Sequence, residues 1–104
     1  MIDAGEKTTA LLATLWVRVR PLVEERLETL DRAAAAAAAG ALPEALRAEA
    51  ASGAHKLAGS LGMYGYDEGT RIARELELLL SGTGQDAAQL SRLIAELRGA
   101  ILPA

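Results

Sequence analysis

The chain of 104 residues contains one histidine, His55, and no cysteine. Free imidazole titrates near about 6.5, so an exposed histidine is largely unprotonated at neutral pH and keeps a lone pair with which to attack an electrophile. A single imidazole excludes any site that needs two. The absence of cysteine excludes a thiolate nucleophile, a disulfide and a Cys-containing zinc site. No glycine-rich phosphate loop or other nucleotide motif is present, so the chain has no visible means of taking a phosphoryl group from ATP. The chemistry open to His55 is that of accepting and carrying a group delivered by another molecule.

His55 falls within a helical pattern, and at about 100° per residue its neighbours can be placed around the helix. Leu46, Leu57 and Tyr64 lie about 160–180° away and Leu61 about 120° away, so the apolar stripe points away from the imidazole, which should face solvent. Every residue within about 60° of it over two turns either way is small: Ala48, Ala51, Ser52, Ala58, Gly59 and Gly62. Glycine inside a helix costs roughly 1 kcal/mol relative to alanine. Two glycines on this strip are explained by a partner that lays its surface against the helix, or equally by tight helix packing inside the same fold.

The elements that must position this strip are all helical. Alanine and leucine dominate, valine and isoleucine are scarce and phenylalanine is absent, a profile of helices and not of strands. From about Thr8 to Val19, Leu11, Leu12, Leu15 and Val19 recur around Trp16 as a first helix. Pro21 predicts a break, because proline disfavours helical geometry at Arg20 and fits the first turn of a new helix. That second helix runs from Pro21 to about Ala39 on a seam of Val23, Leu27, Leu30, Ala34 and Ala37, with Gly40 as its left-handed terminator. Pro43 at the first helical position and Glu44 in the first turn open the helix of His55, which continues to about Met63.

Gly62 and Gly65 bracket a turn into a further helix, capped by Asp67 and carried by Ile72, Leu76, Leu79 and Leu80, that ends at Ser81-Gly82-Thr83-Gly84. Asp86 with Gln89 forms an acidic variant of a capping box, followed by a stripe of Leu90, Leu93, Ile94, Leu97 and Ile101 before Pro103. The expected fold is all-α: an antiparallel up-down four-helix bundle with an additional N-terminal helix as a lid, in one domain over residues 1–104. Trp16, Tyr64 and Tyr66 are expected at its core or edge, and Asp67–Arg71 and Arg71–Glu75 as solvated i,i+4 pairs.

The composition narrows the partners. Hydrophobic residues make up 51% and charged ones 24%, which is globular and not the signature of disorder. A net charge of −3 gives no general pull toward nucleic acid or acidic membranes. The longest uncharged apolar stretch, Ala33 to Pro43, is too short to span a bilayer. The start, Met1-Ile2-Asp3-Ala4-Gly5-Glu6-Lys7, carries acids and lacks the apolar region of a secretory signal, so a cytoplasmic location is expected.

The string Ala54-His55-Lys56-Leu57-Ala58-Gly59-Ser60-Leu61-Gly62-Met63-Tyr64-Gly65-Tyr66, followed by Arg71-Ile72-Ala73-Arg74-Glu75-Leu76-Glu77, closely resembles the signature of the histidine-phosphotransfer (HPt) domains of bacterial phosphorelays. The helix order extends the likeness across nearly all of the chain. The resemblance implies that His55 is the phosphoacceptor, through Nε2, that Gly59 clears space for a partner, and that the glycine-aromatic-glycine turn fixes the start of the next helix. It implies receiver domains of response regulators or hybrid histidine kinases as partners, with Mg²⁺ held by the receiver and no cofactor on this chain. Ser52, Lys56, Gly59 and Gly62 are then the docking residues of a monomeric, non-enzymatic phosphocarrier. Many family members carry lysine three residues after the histidine, where this sequence has Ala58. The nearest cation in sequence, Lys56, is rotated about 100° from His55. The competing reading is a helical interaction module in which the small-residue strip receives a partner helix and His55 is incidental.

Overall fold

The computed structural model describes residues 4–82 and 86–101, with side chains from Ala10 onward. These form four α-helices and one 3₁₀ turn: α1 (Ala4–Ala38), α2 (Glu44–Leu61), the turn Gly62–Tyr64, α3 (Asp67–Ser81) and α4 (Ala87–Ile101). Consecutive helices run antiparallel, and α1 packs on both α2 and α4 while α3 packs on α2 and α4, which closes the bundle. The segments 1–3, 83–85 and 102–104, with the expected terminators Thr83, Gly84 and Pro103, lie outside the described residues.

Most of the expected core positions are buried in the bundle, while Ala37 and Leu79 of the expected seams are partly buried and pack against it. Val23, Leu27, Leu30 and Ala34 of α1, Leu57 and Leu61 of α2, Ile72, Leu76 and Leu80 of α3, and Leu90, Leu93, Ile94, Leu97 and Ile101 of α4 form one cluster. Ala50, Ala54 and Ala73 are also fully buried. These small side chains let the α2 and α3 backbones approach closely.

The break expected at Pro21 is not there. The anticipated N-terminal helix and the first bundle helix are one continuous α1 of 35 residues with Pro21 inside it. Packing overrides the local cost of proline: Trp16, before Pro21, sits 5.3 Å from the Tyr64 ring and 4.8 Å from the Tyr66 ring, centroid to centroid. Val19 packs on the same core that Val23 enters just after the proline. Instead of a separate lid, α1 extends the bundle at one end, and the molecule is 58 Å long against 24 Å and 19 Å across. Leu11 and Val17 on this extension remain exposed.

The helix ends use their own chemistry. Gly40 at φ 75° closes α1 as a left-handed terminator, its N–H bonding Ala37 O at 3.0 Å and the Ala41 N–H bonding Ala36 O at 3.0 Å. Pro43 is the N-cap of α2 and not its first helical residue. Its extended ψ of 144° leaves its carbonyl to accept the Arg47 N–H at 2.9 Å. Asp67 is likewise the first residue of α3, and Tyr66 is the cap, with no side-chain capping bond. The turn through Gly65 (φ 88°) commits the Tyr66 N–H to Leu61 O at 3.1 Å, so the chain enters α3 one residue sooner than expected. Asp86 does cap α4: its Oδ1 accepts the N–H of Ala88 at 2.9 Å and of Gln89 at 3.2 Å.

Two arginines tie distant segments together. Arg47 donates to Leu80 O at 2.8 Å, joining the start of α2 to the end of α3. Arg98 grips Asp31 through both carboxylate oxygens, at 2.8 and 2.5 Å, joining α4 to α1. That contact raises the pKa of Arg98 above its ordinary value.

Candidate functional site

His55 stands on the exposed face of α2, and its side chain is 73% accessible. Its orientation comes from α3. Glu77 Oε1 lies 2.9 Å from His55 Nδ1. A carboxylate can only accept a hydrogen bond, so Nδ1 carries the proton, and in the neutral ring Nε2 is left with the lone pair. Glu77 is half-sheltered at 33% exposure, so the ion sits at the seam of the two helices with the imidazole projecting beyond it. The result is one fixed tautomer presenting one nucleophilic nitrogen.

The small-residue strip divides into two parts with different roles. Ala58 is buried and Ala51 half-buried, so the edge of the strip facing α3 is filled by that helix. Gly59 belongs to the open part: a Cβ placed there would meet nothing within 4 Å. Gly62 lies between the two, because a Cβ on it would stand 3.3 Å from Thr70 Oγ1 on α3. Both readings of the strip therefore apply, packing on the α3 side and free surface around Gly59.

Ser52 and Lys56 lie on the other side of His55. They line a shallow groove of about 260 Å³ between α1 and α2, together with Leu22, Arg26, Thr29 and Glu49. Lys56 is exposed and has no ion-pair partner among the described residues. The structure thus gathers His55, Ser52, Lys56 and Gly59 on one exposed face and turns the Cβ direction of Gly62 toward α3.

Glu77 is the site residue that sequence reasoning assigned no role. It is 22 positions from His55, and its only signal was membership of the string downstream of the signature. Arg71 also differs from expectation. It pairs with Glu68, through Nε at 3.0 Å, and with Glu75, but not with Asp67, although Asp67 and Glu68 both stand in the first turn of α3. The bond from Arg71 holds the Glu68 carboxyl below the usual carboxylate range. Among the described residues no group of three or more His, Asp or Glu side chains is arranged to hold a metal ion.

A comparison with protein families matches the Hpt domain model to residues 15–101. The chain belongs to the Hpt domain family. Hpt domains are histidine phosphocarriers of phosphorelays that interact with receiver domains, and they are not enzymes. The matched segment begins beside Trp16 and ends with α4, so it takes in the bundle and leaves out the first turns of α1. No curated protein and no solved structure matches this Hpt chain significantly.

Proposed function

We propose that this Hpt domain accepts a phosphoryl group on His55 Nε2 from the aspartyl-phosphate of a receiver domain and passes it to a second receiver. The observation that carries the reading is the 2.9 Å contact between His55 Nδ1 and Glu77, which leaves Nε2 as the exposed nucleophile. In the forward step the Nε2 lone pair forms the N–P bond as the acyl-phosphate P–O bond breaks, and the receiver aspartate leaves as a carboxylate. The Nδ1 proton stays in place. Glu77 accepts its hydrogen bond and offsets the positive charge that grows on the ring.

Phosphoryl transfer depends chiefly on positioning and on charge stabilisation, both of which a metal-bearing receiver supplies to a plain helix with one well-presented imidazole. Mg²⁺ belongs to the receiver, and Ser52, Lys56 and Gly59 form the surface on which it docks. The domain meets its receivers in the cytoplasm as a monomer. No helix among the described residues is long and apolar enough to cross a membrane.

The test is label transfer from a phosphorylated receiver. Label is expected on His55 alone, acid-labile and base-stable, and His55→Gln should abolish it while leaving the helical circular dichroism intact, because an exposed residue contributes little to the core. Label that persists in that variant would overturn the assignment. Docking of a receiver with no label on the wild-type chain would favour the interaction-module reading.

A further inference from the structure

A phosphoryl group on His55 brings close to two negative charges to a surface that the signature histidine does not itself neutralise. The position three residues on, where many relatives carry lysine, is Ala58, which is buried. Lys56 lies on the α1 side of the imidazole, in the groove with Ser52 and Glu49. The cation is to be sought on α3.

The register of α2 on α3 is fixed at two points. His55 meets Glu77 at 2.9 Å, and the Cβ direction of Gly62 meets Thr70 Oγ1 at 3.3 Å. The helices are antiparallel, so a step of three residues forward on α2 matches three residues back on α3. Arg74 therefore lies opposite Ala58, at the level where the lysine is missing. It is three residues before Glu77 and shares its helix face. On the α3 side of the imidazole the α2 residue at this level is Ala58, whose side chain is a single methyl group.

Arg74 is also uncommitted. It is exposed and, among the described residues, makes no hydrogen bond or ion pair, while its neighbour Arg71 is held by both Glu68 and Glu75. Glu77, the acid that Arg74 would otherwise meet at i+3, is engaged by His55.

We propose that Arg74 binds the phosphoryl group carried by His55, its guanidinium donating to the phosphoryl oxygens and replacing across the helix pair the cation that Ala58 does not supply. The proposal rests on His55 being the phosphoacceptor. Arg74 makes and breaks no bond in the transfer. Its planar fork is suited to two parallel hydrogen bonds to a phosphoryl group, which an ammonium cannot make.

The experiment uses the whole chain, phosphorylated by a phosphorylated receiver and, separately, by phosphoramidate, in wild-type, Arg74→Ala, Arg74→Lys and Lys56→Ala forms. Arg74→Ala should slow transfer from the receiver by about tenfold, equivalent to about 1.4 kcal/mol in the barrier, with Arg74→Lys in between and Lys56→Ala losing less. Phosphorus NMR of the phosphoramidate-labelled forms gives a readout that a purely structural role would not move. The second ionisation of the phosphoryl group should shift to higher pH in Arg74→Ala, because an adjacent guanidinium favours the dianion. Labelled Arg74→Ala with the wild-type rate and the wild-type titration would overturn the role of Arg74 and leave His55 standing. A wild-type chain that takes no label from either donor would overturn both.

Discussion

In the proposed transfer, the nitrogen of His55 that reacts is set by a carboxylate on the neighbouring helix. With Glu77 2.9 Å from Nδ1, the ring can neither rotate freely nor change tautomer without losing that bond. Two substitutions separate orientation from charge. Glu77→Gln keeps an acceptor for the Nδ1 proton but removes the negative charge, whereas Glu77→Ala removes both. We expect phosphoryl transfer to fall by about tenfold or more in Glu77→Ala and by a smaller factor in Glu77→Gln, measured as single-turnover rates with one receiver. Equal rates in all three forms would mean that the contact orients nothing of consequence. The exposure of His55 was legible because its apolar neighbours fall on the opposite side of the helix, and its role as phosphoacceptor came from the likeness of the string around it to the HPt signature. Glu77 was not legible, since nothing local to either residue encodes the register of α2 on α3. Gly62 is on the exposed face as expected, but the same gap hides the 3.3 Å approach of its Cβ direction to Thr70 Oγ1.

At the scale of the element, α1 shows a local rule overridden by packing. Pro21 lacks the N–H that would close a helical turn and its ring crowds the carbonyl one turn back, so the expectation of a break was sound as a statement about the segment alone. The bundle reverses it because the contacts on either side, Trp16 with Tyr64 and Tyr66 before and Val23 and Leu27 after, hold both segments in one continuous helix. Seams of buried side chains were readable from helical spacing, and so was the left-handed Gly40, since both follow from residue type and period. The single-residue shifts at Pro43 and Tyr66 were not, because they depend on how the preceding turn spends its hydrogen bonds. If packing carries α1 across an unfavourable residue, Pro21→Ala should raise stability by about 1–3 kcal/mol, since it removes a helix-interior proline exposed to solvent. Thermal unfolding checks the gain, and the transfer rate should be unchanged because Pro21 lies outside the face around His55. A loss of stability would mean that the fold depends on a bend at this residue.

For the molecule as a whole, the His55–Glu77 pair exists only where two helices are held in register, so residues far from His55 bear on the proposed transfer by setting the position of α3. Arg47 anchors the end of α3 to the start of α2, and the other end is set by close packing at Gly69. This buried glycine faces α2 and α4 together: a Cβ there would come within 2.7 Å of Ile101 Cγ2 and 3.2 Å of Leu61 Cδ1. Alanine is the better helix former by about 1 kcal/mol, but overpacking a tight core costs about 1–3 kcal/mol, and a branched methyl group on Cβ has little room to yield. Gly69→Ala is therefore expected to lower the unfolding free energy and to slow phosphoryl transfer, as α3 moves away from α2 and takes Glu77 with it. The clash is with Cγ2 in particular, which leucine lacks. Ile101→Leu should relieve it, so the double variant should be more stable than the sum of the single changes predicts, with a coupling of at least about 0.5 kcal/mol read from denaturant unfolding. Strictly additive effects, or a stabilising Gly69→Ala, would show that α3 is not held by this contact and that the register at His55 is set by Arg47 and the alanine packing of α2 against α3.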